Sequence, residues 1–222
     1  MSGRVFLAAN AAAVIMAAVL IILGRIGQPA DAFIVSPPDA ELPPATPAHL
    51  RTSMGSPDAP ISILVYSDFQ CAVCQQFALT TSKQIEASYV ETGTAYLTFK
   101  HFVIYDEESI LAAMAAEAAA DQGMFWPYHD LVMQLRASSK KEDLTVARLQ
   151  DLARQAGLDI AAFNAAFLSG NHRDEILREK EESLALGIRG TPTFFVNGRK
   201  AEGNVPFASF QSLIEELLAA EE

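Results

Sequence analysis

Ser67-Asp68-Phe69-Gln70-Cys71-Ala72-Val73-Cys74 holds both cysteines of the 222-residue chain. It follows an apolar run suited to a strand, Ile61 to Tyr66, and leads into a run with helical character, Gln75 to Tyr89. If the pair opens that helix, Cys71 and Cys74 stand one turn apart on one face, with α-carbons roughly 5 to 5.5 Å apart, a separation a disulfide accepts. The helix N-terminus adds partial positive charge and unpaired N–H groups beside Cys71, which favours thiolate over thiol. Cys71 is therefore the expected nucleophile. Cys74 is the expected resolving thiol, attacking a mixed disulfide to release the partner.

Other uses of a Cys-x-x-Cys compete with this one. Zinc needs four ligands, and the remaining candidates, His49, His101, His129 and His172, are scattered without ligand spacing, so no metal is expected. A structural bridge closing so short a loop restricts the unfolded chain little. Two unrelated buried cysteines are the last reading.

Outward from the motif, Thr94 to His101 alternates and is rich in β-formers, which predicts a second strand and, with the first, a parallel crossover unit. A helical block follows from Glu107 to about Gly187. It divides into Ile110 to Gln122, Thr145 to Ala156, Asp159 to Ser169 and Arg173 to Leu186, each closed by a glycine where helices stop. Between the first two, Phe125-Trp126-Pro127-Tyr128-His129 starts another helix, with Pro127 tolerated in its first turn. Phe125, Trp126 and Tyr128 suit core packing or a substrate surface, with packing the favoured reading, and His129 reads as structural. Asn197-Gly198 between two strand candidates signals a hairpin. Phe207 to Ala220 is an amphipathic helix with Phe210, Leu213, Ile214, Leu217 and Leu218 on one face.

Toward the N-terminus, Gln28 to Pro60 carries eight of the eleven prolines and shows no apolar periodicity. It reads as an extended tether or as a tail without a spacing role. Val5 to Leu23 is 19 uncharged, largely apolar residues between Arg4 and Arg25. As a helix this run measures roughly 28 Å, close to a bilayer core of about 30 Å. Ala30-Asp31-Ala32 resembles a signal cleavage site, but the run exceeds the usual h-region of about 7 to 15 residues, so an uncleaved anchor is favoured. Arg4 and the terminal amine against Arg25 bias the N-terminus inward, which places the body outside the cytoplasm, where disulfides persist. Half of the residues are hydrophobic, enough for a sizeable core, and the net charge of −11 with no basic cluster argues against nucleic acid as a partner.

Taken together, strand, Cys-x-x-Cys helix, strand, helical insert, Thr-Pro, hairpin and helix resemble the thioredoxin fold. More closely they resemble the DsbA-like disulfide oxidoreductases, including the membrane-anchored kind of bacteria. The residues that carry the resemblance are Gly55-Ser56-Pro57-Asp58-Ala59-Pro60, the cysteine stretch 67–74, Phe125-Trp126-Pro127-Tyr128-His129-Asp130, and Gly190-Thr191-Pro192-Thr193-Phe194-Phe195-Val196-Asn197-Gly198. The expected architecture is an α/β thioredoxin-like domain over 55–222 with a helical insertion at about 107–187. A transmembrane anchor or signal segment, 1–27, and a proline-rich linker, 28–54, precede it.

The resemblance implies a cis Thr191–Pro192 bond packed beside the cysteines, with the Thr191 backbone holding an extended substrate peptide. Thr191 and Pro192 are thus expected substrate-binding residues. It also implies protein thiols or disulfides as substrates, a quinone-linked membrane partner as reoxidant, and no cofactor. The family often has proline after the first cysteine, and strongly oxidising members have histidine before the second; Ala72 and Val73 stand there. Neither side chain donates to a Cys71 thiolate, so a less depressed pKa and a weaker oxidant are expected than in a histidine-bearing relative. Asp68 either raises the Cys71 pKa by its charge or caps the helix. The expected activity is disulfide donation outside the cytoplasm, from an anchored body or from one secreted or periplasmic after cleavage near Ala32. A reductase or isomerase, and a redox-inert peptide-binding module or chaperone, remain alternatives. Against the last, a pure binder does not require the pair of cysteines in a chain with no others.

Overall fold

The structure, a computed structural model, describes residues 33–34, 50–138 and 144–220. The expected anchor and the cleavage site at Ala32 lie outside these residues. Among those described, no helix is long and apolar enough to cross a membrane.

The two-residue period of a strand sorts apolar side chains to opposite faces. In β3 (Ile61–Ser67), Ile61, Ile63 and Val65 enter the main core, while Leu64 and Tyr66 join a second cluster with Phe102, Ile188 and Phe195. β4 (Ala95–His101) runs parallel to β3 with Ile63 opposite Leu97 and Val65 opposite Phe99, as the crossover reading expects. On the other side of β3 lies antiparallel β5 (Thr193–Val196), with Tyr66 opposite Thr193. That register positions the site: the chain leaving β3 toward Cys71 and the chain entering β5 from Thr191 lie side by side. β5 turns into β6 (Arg199–Glu202) through Asn197 and Gly198, at φ of 43° and 84°. Both sit in the left-handed region that a two-residue hairpin turn requires. The Asn197 amide fastens the turn to the start of β3, with Oδ1 accepting from Ser62 N at 2.7 Å and Nδ2 donating to the Pro60 carbonyl at 3.1 Å.

Two further strands complete the sheet. β1 (Phe33–Ile34) pairs with β6, and β2 (Ser53–Met54) pairs with β4, giving the order β1-β6-β5-β3-β4-β2. Both fall within 28–54, where an extended tether or a tail without a spacing role was expected. The correction has a simple cause: a sheet edge offers unpaired N–H and C=O groups, and two residues can pair with it without any periodic pattern. Gly55, at φ 91°, follows directly. A Cβ there would stand 2.8 Å from the Ala95 carbonyl oxygen and 2.9 Å from Val90, so the return from β2 needs glycine.

The expected helix from Gln75 to Tyr89 is broken. α1 (Ala72–Leu79) ends at Thr80, whose hydroxyl donates to the Gln76 carbonyl at 2.7 Å; α2 (Thr81–Ile85) follows, then a π-helical turn over Glu86–Val90. A threonine side chain that bonds the preceding turn favours such a break. The insertion consists of α3 (Glu107–Ala120), α4 (Phe125–Ser138), α5 (Val146–Gln155), α6 (Ile160–Ser169) and α7 (Asn171–Ala185). The glycines expected to end helices, 123, 157, 170 and 187, all have φ between 70° and 78°. Alanine-rich α3 is buried on nearly every side, since small side chains let neighbours approach all round it. α8 (Phe207–Ala219) buries Phe210, Leu213 and Ile214. A buried pair, Lys100 Nζ to Glu179 at 2.8 Å, holds α7 against β4, and the same carboxylate accepts the His101 N–H at 2.8 Å.

Candidate active site

Cys71 is the N-cap of α1, in extended backbone (φ −74°, ψ 116°). Its Sγ accepts the Cys74 N–H at 3.2 Å and lies 3.4 Å from the Thr191 carbonyl oxygen, to which its S–H donates. The Thr191–Pro192 bond is cis. Both cysteines are free thiols and buried, 3% exposed for Cys71 and 1% for Cys74. Sequence reading thus named residues that the fold brings together: Cys71, Cys74 and Thr191-Pro192 meet at one end of the sheet.

The two thiols are electrostatically unequal. The Cys74 thiol hydrogen bond above all, with the Thr191 side chain and the backbone N–H groups of Cys74 and Val73, lowers Cys71 from 9.0 to about 6 against the effect of burial. Burial pushes Cys74 well above the ordinary thiol range, and the neighbouring Cys71 pushes the same way. Ala72 and Val73 give Cys71 no side-chain donor, yet the backbone of the same turn does. Iodoacetamide should therefore alkylate the reduced protein at Cys71 with a rate half-maximal near pH 6. The folded pKa lies below that of an unfolded thiol, about 8.5. The thiolate thus adds stability to the reduced form that is full above the unfolded pKa and lost as pH falls through about 6. A midpoint at pH 8 or above would overturn this assignment.

Asp68 does not cap the helix. The helix cap is Cys71 itself, and the buried Asp68 carboxylate ties three segments together. It accepts from Gln70 N at 2.8 Å, Ile104 N at 2.8 Å and Ser109 Oγ at 2.7 Å. Gln70 adds a second tie, its amide donating to Asp106 at 2.6 Å and Ser109 at 3.0 Å. Tyr105, which no motif singled out, also flanks the pair: it is 57% exposed, and burial first, then the charge at Cys71, raises its phenol pKa.

Behind the pair, the aromatic segment packs as core. Phe125 and Tyr128 are fully buried, Phe69 stacks on Phe99 with centroids 5.5 Å apart, and His129 lies 5.6 Å from Phe69 and 5.1 Å from Trp126. The histidines weighed as zinc ligands are each engaged with a carboxylate: His101 with Glu117 at 3.0 Å, His129 with Asp130 at 3.0 Å and His172 with Asp121 at 2.9 Å, while His49 lies outside the described residues. Among the described residues, Glu117, His172 and Glu175 offer ligand atoms within 4.8 Å of one another, without either cysteine. The Arg51 guanidinium stands among them, 3.1 Å from Glu117 and 3.5 Å from Glu175.

Comparison with known proteins agrees with this geometry. The family model described as Thioredoxin matches residues 49–216. The probable disulfide bond formation protein D of Bacillus anthracis is 26% identical over 172 residues, spanning 76% of this chain and 78% of that protein. Among solved structures, a variant of Wolbachia pipientis alpha-DsbA1 superposes with a TM-score of 0.71 at 26% identity, covering 84% of this chain and 97% of that one. Oxidised BdbD of Bacillus subtilis gives 0.70 at 20% identity, over 76% and 92%, a likeness of fold.

Proposed function

Since the chain belongs to the thioredoxin family, as a DsbA-like thiol-disulfide oxidoreductase, we propose that it donates its Cys71–Cys74 disulfide to protein thiols outside the cytoplasm. The observation that carries this reading is the unequal pair: a Cys71 thiol lowered to about 6 beside a Cys74 thiol pushed up. A substrate thiolate attacks Cys71 Sγ, the Cys71–Cys74 bond breaks, and Cys74 leaves with the electron pair and takes a proton. A second substrate thiolate then attacks the substrate sulfur of the mixed disulfide, and Cys71 leaves as a thiolate. The substrate loses two electrons, which the enzyme gains. A stable Cys71 thiolate favours this direction, because it is the better leaving group and stabilises the reduced enzyme.

The Thr191 carbonyl beside Cys71 suits a peptide joined to that sulfur, which must pass over Thr191 and Pro192 in extended form. Residues 1–27 serve as the membrane anchor, and a quinone-linked membrane partner reoxidises the pair. Equilibration with glutathione buffers tests the direction. Cys71 lies between thioredoxin, with a pKa of about 7, and DsbA, about 3.5. The expected potential therefore lies between about −270 and −120 mV. A value at or below the thioredoxin end would make the protein a reductase. Cys74→Ser should accumulate mixed disulfides with substrate, seen as adducts on a nonreducing gel and removed by dithiothreitol. Absence of adducts in a variant that still alkylates at Cys71 would reject Cys74 as the resolving thiol.

A further inference from the structure

Exchange at a buried resolving cysteine moves a proton as well as electrons, and Cys74, 1% exposed, has almost no bulk water to exchange it with. Next to it lies a cavity of about 10 Å³, room for one water molecule. Ser67, Cys74, Ser82, Trp126 and His129 supply the polar part of its wall, and the rest is apolar. Trp126 Nε1 is buried and has no hydrogen-bond partner among the described residues, a donor that a water there would satisfy. Among the described residues, no carboxylate lines the cavity. Among the described residues that line it, His129 is the one group besides Cys74 able to take a proton near neutral pH. From His129 a chain of contacts leads outward: Nδ1 lies 3.0 Å from Asp130 Oδ1, and Asp130 Oδ2 lies 2.6 Å from Lys83 Nζ, whose side chain is partly exposed.

We infer that His129 is the proton relay of Cys74, acting through a water in this cavity and held in place by Asp130. The inference rests on the reading of Cys74 as the resolving thiol. In the resolving step the Cys74 S–H passes its proton through the water to His129. The thiolate then attacks Cys71 Sγ, forming the Cys71–Cys74 bond while the substrate thiolate leaves with the electron pair. The imidazolium, facing the Asp130 carboxylate, afterwards yields its proton to solvent. When the enzyme donates its disulfide, the same proton travels back to the Cys74 thiolate. The charged and titratable groups facing His129 are Asp130 on its own helix, Lys83 with Glu86 on the α2 side, His101 with its partner Glu117, and Cys74. Burial lowers the His129 pKa most, Lys83 and His101 add to the lowering, and Asp130 opposes it, so the ring favours its neutral form and relies on Asp130 to hold the proton it takes up.

Mixing the reduced full-length protein with excess oxidised glutathione separates two phases: a concentration-dependent attack by Cys71 and a concentration-independent resolution by Cys74. His129→Gln should slow the second phase about 100-fold at pH 6.5, the scale of a lost general base. The deficit should shrink by about tenfold per pH unit as hydroxide replaces the base, with the first phase unchanged. A second phase equal to wild type, or slowed equally at every pH, overturns the relay. Because the ring packs against Phe69 and Trp126, Asp130→Asn, which leaves it in place, decides the matter if His129→Gln does not fold. It should slow resolution about tenfold below pH 7, and an unchanged rate overturns the relay. A wild-type protein that forms the mixed disulfide but never resolves it would overturn the role of Cys74, and the relay with it.

Discussion

Cys71→Ser is expected to reduce thiol-disulfide exchange to the uncatalysed background, a loss of about 10³-fold or more, as when other covalent catalysts lose their nucleophile. The hydroxyl of serine does not ionise near neutral pH and forms no disulfide. Cys74 is no substitute, since burial pushes its pKa well up and its side chain is 1% exposed. The fold, in contrast, should survive. Cys71 caps α1 by accepting the Cys74 N–H, and serine is among the preferred residues for that task. The measurement is insulin reduction or oxidative refolding of a reduced substrate protein, with circular dichroism to confirm the native state. A folded variant retaining more than a few per cent of wild-type exchange would sink the assignment of Cys71 as nucleophile.

Features set by local chemistry were legible before any coordinates. The strand period of Ile61 to Tyr66, the Asn197-Gly198 turn and the glycines at 123, 157, 170 and 187 depend on neighbours a few residues away, and each stands where expected. The helix-start position of Cys71 belongs with them. What escaped reading depends on partners distant in sequence. Asp68 looked like a cap because its real partners, Ile104 and Ser109, lie 36 and 41 residues further on. The surroundings of Cys71 include a carbonyl 120 residues away and two backbone N–H groups that no side-chain comparison of Ala72 and Val73 reveals. β1 and β2 add only two residues each to sheet edges, too few to leave a pattern. His129 read as structural, and it does pack as core; its link to Cys74 emerges only once both line one cavity.

Asp68→Ala should be strongly destabilising, by about 3 to 5 kcal/mol, because it leaves three buried donors without their acceptor. The carboxylate is 1% exposed and receives two backbone N–H groups and one hydroxyl. Alanine strands all three donors in a place that water does not reach, at about 1 to 3 kcal/mol for each group left unsatisfied. At about 2 to 4 °C per kcal/mol for a domain of this size, the melting temperature should fall by roughly 6 to 20 °C. Asp68→Asn should be intermediate, because one carboxylate oxygen serves Gln70 and Ser109 while the other serves Ile104. The amide nitrogen must face a donor on one side or the other. The asparagine variant also separates the two roles open to this residue. As a tie between the cysteine loop, the segment after β4 and the first turn of α3, it costs stability and leaves the Cys71 alkylation midpoint near pH 6. Were its charge acting on Cys71 instead, the midpoint would move while the melting temperature held. An unchanged melting temperature in Asp68→Ala would mean that those three donors find other partners, and that the loop carrying Cys71 is positioned by Gln70 and by the start of α1 alone.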